Sequence, residues 1–205
     1  DLDGDGTEEI VVSVFGNRLG HLSYFNASDN GKYTEHLLNE YPGAISHYIR
    51  DFNGDGLQDI IVLMGQAREG VFIYYNRGDG TFAESYVVQW PPSYGAAHLS
   101  VVDFDGDGDL DLLTANGDNA DYELTLKRYH GVRLYLNDGV NRFSEAYFFP
   151  LNGAYKAQAA DFDGDGDLDI AAIGFFADFA DSPEEAFVYL ENEGGMRFAP
   201  STFAE

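Results

Sequence analysis

The chain has 205 residues and sets 36 Asp and Glu against 11 Lys and Arg, a formal net charge of −25. That balance argues against nucleic acid and anionic membrane surfaces as partners, since both recruit basic residues, and no apolar run reaches the roughly 18 residues of a membrane-spanning helix. A hydrophobic content of 44% with 15% aromatic residues argues against disorder, and the absence of cysteine removes disulfides and thiolate sites.

In chain order, the first feature is an acidic string, Asp1-Leu-Asp-Gly-Asp-Gly. It returns as Asp51-Phe-Asn-Gly-Asp-Gly, Asp103-Phe-Asp-Gly-Asp-Gly and Asp161-Phe-Asp-Gly-Asp-Gly, a repeat of roughly 50 residues. Each copy runs into an apolar stretch rich in β-branched residues, such as Ile10-Val-Val12 or Ile60-Ile-Val-Leu63. Runs of that length predict strands buried on both faces. An aromatic strand and an Asn-led turn follow, at Tyr24-Phe-Asn26, Tyr74-Tyr-Asn76, Tyr135-Leu-Asn137 and Tyr189-Leu-Glu-Asn192. Phe82, Phe143 and Phe198 stand at one fixed distance after the last three Asn residues, which predicts a hairpin of fixed length. Gly43, Gly95 and Gly153 each precede an Ala and a short strand leading into the next acidic string.

One repeat therefore reads strand a, acidic loop, strand b, strand c, hairpin, strand d, the pattern of a β-propeller blade. The predicted fold is all-β: a single propeller segment, 1–205, with four blade repeats at approximately 1–42, 43–94, 95–152 and 153–205. Because the chain opens on the acidic loop, the first blade lacks strand a, giving 15 strands. The predicted arrangement is an open arc of a larger propeller, since a closed ring would leave an inner edge unpaired.

Carboxylates at positions 1, 3, 5 and 9 of a short loop can converge on one hard cation. Calcium takes six to eight oxygen ligands, and position 7 can supply a backbone carbonyl. Glycines at positions 4 and 6 permit the tight turn. Magnesium suits the site less well, because it keeps several waters. An EF-hand loop would need a Glu at position 12 followed by a helix; Val12, Val62, Thr114 and Ala172 stand there, inside predicted strands. Asp-Gly pairs also make plain hairpin turns, but four copies, each with an acid at position 9, favour the ion.

These loops, together with Phe15-Gly16 after the first strand b, resemble the FG-GAP or VCBS repeats of integrin α-subunit propellers and of many bacterial surface proteins, over essentially the whole chain. The resemblance implies a seven-bladed propeller, completed by further blades of the same parent chain. It implies up to four calcium ions, each between strands a and b. The second site would use Asp51, Asn53, Asp55, the carbonyl of Leu57 and Asp59. The third would use Asp103, Asp105, Asp107, the carbonyl of Asp109 and Asp111. The fourth would use Asp161, Asp163, Asp165, the carbonyl of Asp167 and Asp169. The first, with Asp1, Asp3, Asp5 and the carbonyl of Thr7, departs from the pattern by carrying Glu9 where Asp is expected. A secreted or cell-surface binding or adhesion module, with no membrane insertion, is the expected setting.

In a meander the a–b and c–d connections share one face, so a partner is expected on the other, where loops vary freely. The b–c connections of repeats three and four are the long ones, at 117–131 and around 175–179. Candidate ligand-face residues are Trp90, Tyr94, Tyr122, Arg128, Tyr129, His130 and Phe176, which could stack on a sugar or grip a peptide, or could simply cap the core. Arg77-Gly-Asp79 lies in a hairpin whose turn chemistry already explains its Gly and Asp, and Asn26-Ala-Ser28 is a glycosylation sequon. No G-x-S-x-G elbow, Walker loop or zinc-spaced His pair occurs, so the chain is not expected to be an enzyme. The alternative is a propeller scaffold of a polysaccharide-degrading lyase or glycoside hydrolase, with Asp118, Asp121 or Glu123 as candidate acids.

Overall fold

Strands β1 (Ile10–Val14), β2 (His21–Ala27) and β3 (Tyr33–Asn39) form a three-stranded antiparallel sheet in the computed structural model, which describes residues 1–16, 18–28, 31–118, 125–178 and 180–202. Strands β4 (Ala44–Arg50), β5 (Asp59–Met64), β6 (Gly70–Asn76) and β7 (Phe82–Gln89) make a four-stranded meander. These two sheets lie in one unit, Asp1–Pro92, and the second unit is Ser93–Glu205. There β8 (Ala96–Val102), β9 (Asp111–Asn116), β10 (Gly131–Asn137) and β11 (Phe143–Pro150) form one sheet. The other comprises β12 (Ala154–Ala160), β13 (Asp169–Gly174), β14 (Phe187–Asn192) and β15 (Phe198–Ser201). Every sheet is an up-and-down antiparallel blade of propeller type, and the first lacks strand a, as the sequence predicts.

Burial follows the sequence pattern. Every residue of β5 and of β9 is buried, which is what strands covered on both faces require. In the first unit Leu22, Ile60, Val62, Met64 and Phe72 share one core with Leu2. In the second, Leu113, Val132, Leu134, Ile170, Val188 and Leu190 share another with Phe104. Each fully buried aliphatic side chain stabilises by about 1.5–3 kcal/mol. The apolar residue at position 2 of an acidic loop thus plugs into the next sheet: Leu2 packs beside Phe82, and Phe104 lies 6.0 Å from Phe198.

Two further regularities hold the blades together. Gly95 has φ +68°, and a Cβ there would stand 2.2 Å from the Asp118 carbonyl oxygen, so only glycine fits at the start of strand a. Gly43 and Gly153 meet the backbone at Gly65 and Phe176 in the same way. On the outer strand, the third residue is an acid that meets a basic side chain in three blades. His21 Nε2 meets Glu35 at 2.9 Å, Arg68 Nη2 meets Glu84 at 2.6 Å, and Arg133 Nε meets Glu145 at 3.3 Å.

Candidate metal centres

All four acidic loops are wound by one hydrogen-bond scheme. The position 1 carboxylate accepts the N–H groups of both glycines: Gly54 and Gly56 donate to Asp51 at 2.8 Å each. Gly4 and Gly6 do so to Asp1, Gly106 and Gly108 to Asp103, and Gly164 and Gly166 to Asp161. The position 3 oxygen accepts the position 5 N–H, as in Asp105 with Asp107 and Asn53 with Asp55. The position 5 carboxylate in turn accepts the position 7 N–H, so Thr7, Leu57, Asp109 and Asp167 are tied to Asp5, Asp55, Asp107 and Asp165. Where the acceptor is a carboxylate, these bonds are charge-assisted and stronger than neutral ones. They offset part of the repulsion between the clustered carboxylates and hold the side chains turned inward.

Position 9 differs, because it is buried in the sheet. Asp59, Asp111 and Asp169 each accept the position 2 N–H on Oδ2, from Phe52, Phe104 and Phe162. Each also accepts, on Oδ1 at 2.8 Å, the N–H of the hairpin Asn: Asn76, Asn137 and Asn192. The acidic loop and the c–d hairpin therefore share one side of blades two, three and four. Burial pushes the carboxyls of Asp59 and Asp111 up, against the pull of their two N–H donors. On Asp169 burial pushes the same way, but the N–H groups of Asn192 and Phe162 and the Tyr189 hydroxyl together outweigh it and hold the carboxyl low.

In three loops the carboxylate oxygens converge to within 4.8 Å of one another: Asp1, Asp3, Asp5 and Glu9; Asp103, Asp105 and Asp111; Asp161, Asp163 and Asp169. Among the described residues the second loop has no such group of three. Asn53 stands at its position 3 and turns its amide onto Asp55 at 2.9 Å. Asp107 and Asp165 stay outside the converging groups, with an oxygen committed to the turn. The donors are hard oxygens, with neither imidazole nor thiolate among them, which fits a hard divalent cation rather than zinc or copper.

The first loop carries a second feature that suits a cation. Glu9 accepts the Leu2 N–H on Oε2, matching its Asp counterparts. Its side chain is 0% exposed, and Oε1 has no hydrogen-bond partner among the described residues. An unpaired buried oxygen of this kind costs free energy unless something neutralises it.

The candidate ligand-face residues divide. Trp90, in the first unit, is buried and donates its backbone N–H to the Glu69 carbonyl; it lines a cleft with Arg68, Tyr86 and Gln89. In the second unit Tyr94 stacks on Tyr129 with centroids 5.1 Å apart. The Arg133 guanidinium lies 4.7 Å over Tyr94 and 4.2 Å over Phe148. That ladder fixes the loop, so Tyr94 and Tyr129 serve the core. Phe176 is half-buried, edge-on to Phe175. Tyr122, Asp121 and Glu123 lie outside the described residues.

Arg128 and His130 do meet, in a cleft of about 250 Å³ lined also by Lys127, Asn152, Asp178 and Glu185. His130 is fully buried, and neither ring nitrogen has a hydrogen-bond partner among the described residues. Burial pushes its imidazole down to about 4, with Lys127 and Arg133 adding to the shift and the Ser93 backbone opposing it. Burial pushes the Glu185 carboxyl up, helped by Glu184 and Asp178. Of these residues Lys127, Asn152, Asp178 and Glu185 carried no individual sequence signal; only the length of the two b–c connections pointed to their region. Asp79 of Arg77-Gly-Asp79 accepts both the N–H and the hydroxyl of Thr81, at 3.0 and 2.6 Å, so the turn occupies it.

A model of the FG-GAP-like repeat matches the chain three times, over residues 1–62, 51–114 and 115–172. A search of curated proteins finds no match to the chain. The matched segments begin or end on the acidic loops and strands just described, and they cover most of the sequence: the chain belongs to the FG-GAP-like repeat family.

Proposed function

We propose that this chain is a calcium-binding β-propeller module of a secreted or cell-surface protein, and that it binds a protein or carbohydrate ligand through the connections opposite its acidic loops. Four oxygen-rich loops of one design support calcium as the ion, through the number and hardness of their donors. Asp51, Asp103 and Asp161 each anchor one such loop. The module acts by binding rather than by catalysis.

The observation that carries the ligand-binding reading is the cleft beneath Arg128. Buried polar groups are nearly always hydrogen-bonded, yet among the described residues no group stands in good hydrogen-bond geometry to either ring nitrogen of His130, which lines this cleft. Cationic Lys127 and Arg128 and the carboxylates of Asp178 and Glu185 border one small space. Its volume lies just below the usual range for drug-sized ligands, which suits a single sugar unit or a short peptide turn. The test is an array of neutral and acidic oligosaccharides beside a panel of matrix proteins. The native module should retain at least one class, and Lys127→Ala with Arg128→Ala should lose it at unchanged melting temperature. Retention by the double variant would remove the cleft from the argument.

One observation favours the polysaccharide-degrading reading instead. Asp178 and Glu185 line the same cleft, and the raised Glu185 carboxyl is the kind of group that serves as a general acid. Oligosaccharide release that stops on Glu185→Gln would establish that reading; binding without turnover would dismiss it.

A further inference from the structure

We propose that Asn26 is a ligand of the cation in the first loop, supplied from strand β2 rather than from the loop itself. This rests on the calcium reading above.

In repeats two, three and four the side chain of the hairpin Asn is engaged at both ends, by its own turn and by the acidic loop. Its side-chain oxygen accepts the N–H of a glycine two residues on, as Asn76 does from Gly78, Asn137 from Gly139 and Asn192 from Gly194. Its amide nitrogen donates to the carbonyl just before the position 9 acid, at Gln58, Leu110 and Leu168. The first repeat breaks this pattern twice. Ser28 stands where the glycine belongs, and Glu9 stands where Asp belongs.

The two departures have one outcome. Freed from its turn, the Asn26 side chain swings onto the acidic loop, where Nδ2 donates to Asp3 Oδ2. Its Oδ1 is buried with no hydrogen-bond partner, and so is Glu9 Oε1. Two buried oxygens, on residues that both touch the Asp1, Asp3, Asp5 and Glu9 cluster, are thus left without a donor. Nothing among the described residues supplies an N–H or O–H to either. A cation answers both, and Asn26 together with the Thr7 carbonyl would bring the protein oxygens to the six that calcium requires at least.

Terbium luminescence tests this, because Tyr24 lies beside Asp3 and Glu9 and can sensitise an ion held there. The share of emission lost in Tyr24→Phe identifies the first site, and calcium displaces it to give the affinity. Asn26→Ala should weaken that site about tenfold or more, leave the Tyr24-independent emission unchanged, and keep the melting temperature measured in chelator. Asn26→Asp, which keeps the oxygen, should bind at least as tightly. In a Glu9→Asp background the hairpin N–H can clasp the shorter acid, so Asn26→Ala should there have little effect. An unchanged first-site affinity in Asn26→Ala, or an equal loss in both backgrounds, would overturn the assignment while leaving calcium binding intact. If no Tyr24-dependent emission develops at all, the calcium reading of this loop falls and the assignment with it.

Discussion

Asp59 Oδ1 accepts the backbone N–H of Asn76 at 2.8 Å. With Oδ2 holding Phe52 N–H at 3.0 Å, one buried carboxylate ties the start of the acidic loop to the end of β6. Its position was legible in the sequence as a metal ligand, but here it is first a structural clasp. Asp59→Ala leaves one buried and one half-buried N–H group unpaired, at about 1–3 kcal/mol for the buried one and less for the other. The expected loss of about 2–4 kcal/mol should persist in excess chelator. Asp55→Ala, at an exposed position, should cost stability only when calcium is present. Urea unfolding of both variants, with and without chelator, separates the two functions. A loss for Asp59→Ala that disappears on chelation would show that the clasp is subordinate to the ion.

Chelation of the native chain should lower the melting temperature while leaving the sheets folded at 25 °C. Each ion at a hundredfold excess over Kd contributes about 2.7 kcal/mol, whereas the backbone N–H lattice on Asp1, Asp51, Asp103 and Asp161 stays in place without it. Far-ultraviolet circular dichroism during calcium removal reads both quantities. A melting temperature indifferent to chelator would mean that the loops are self-sufficient.

The two arginine stacks are expected to differ in strength. Arg133 is 4% exposed, lies between Tyr94 and Phe148, and bonds the Tyr129 carbonyl at 2.6 Å as well as Glu145. Arg68 reaches Glu84 from a 3-10 turn, over Tyr41 and Phe72, and stays partly exposed. Arg133→Ala empties a buried ring stack and leaves the Tyr129 carbonyl without its donor, and should cost about 2–4 kcal/mol. Arg68→Ala should cost about 1–2 kcal/mol, the sum of an exposed pair and a cation–π contact. Equal losses in urea unfolding would contradict the difference in burial.

The blades were legible because their signals are local and repeated: the Asp-Gly string, the β-branched run and the hairpin Asn each recur at one spacing. The Arg68 and Arg133 stacks were not legible, since the two guanidinium groups reach equivalent acids from different places in the chain, one in a turn and one in β10. No spacing rule links them. The cleft was only half legible, because His130 and Arg128 stood in a long connection, whereas Asp178 and Glu185 join them through sheet packing. Asn26 read as a glycosylation sequon, yet the fold turns its amide onto Asp3.

The last expectation concerns acid. His98, on β8, has Nδ1 buried without a partner among the described residues, and burial, with Lys156 of β12 beside it, pushes the imidazole down to about 4. His130 is pushed down to about 4 as well, chiefly by burial, with Lys127 and Arg133 facing it. An unfolded histidine binds its proton near pH 6.5, so between about pH 6.5 and 4 the unfolded chain carries protons that the folded chain refuses. Stability must then rise with pH through that window, being complete above about 6.5 and lost as the pH falls toward 4. Each ring should account for about 1–2 kcal/mol of the loss, the half-buried His98 discounted for solvent screening and the buried His130 at the upper end. His98→Phe and His130→Phe remove one titrating ring apiece, and each should flatten the slope of unfolding free energy against pH in this window. The carboxylates titrate alike in native and variant chains, so they cancel in the difference. A variant slope equal to the native one would mean that these imidazoles take up their proton in the folded state as freely as in the unfolded one.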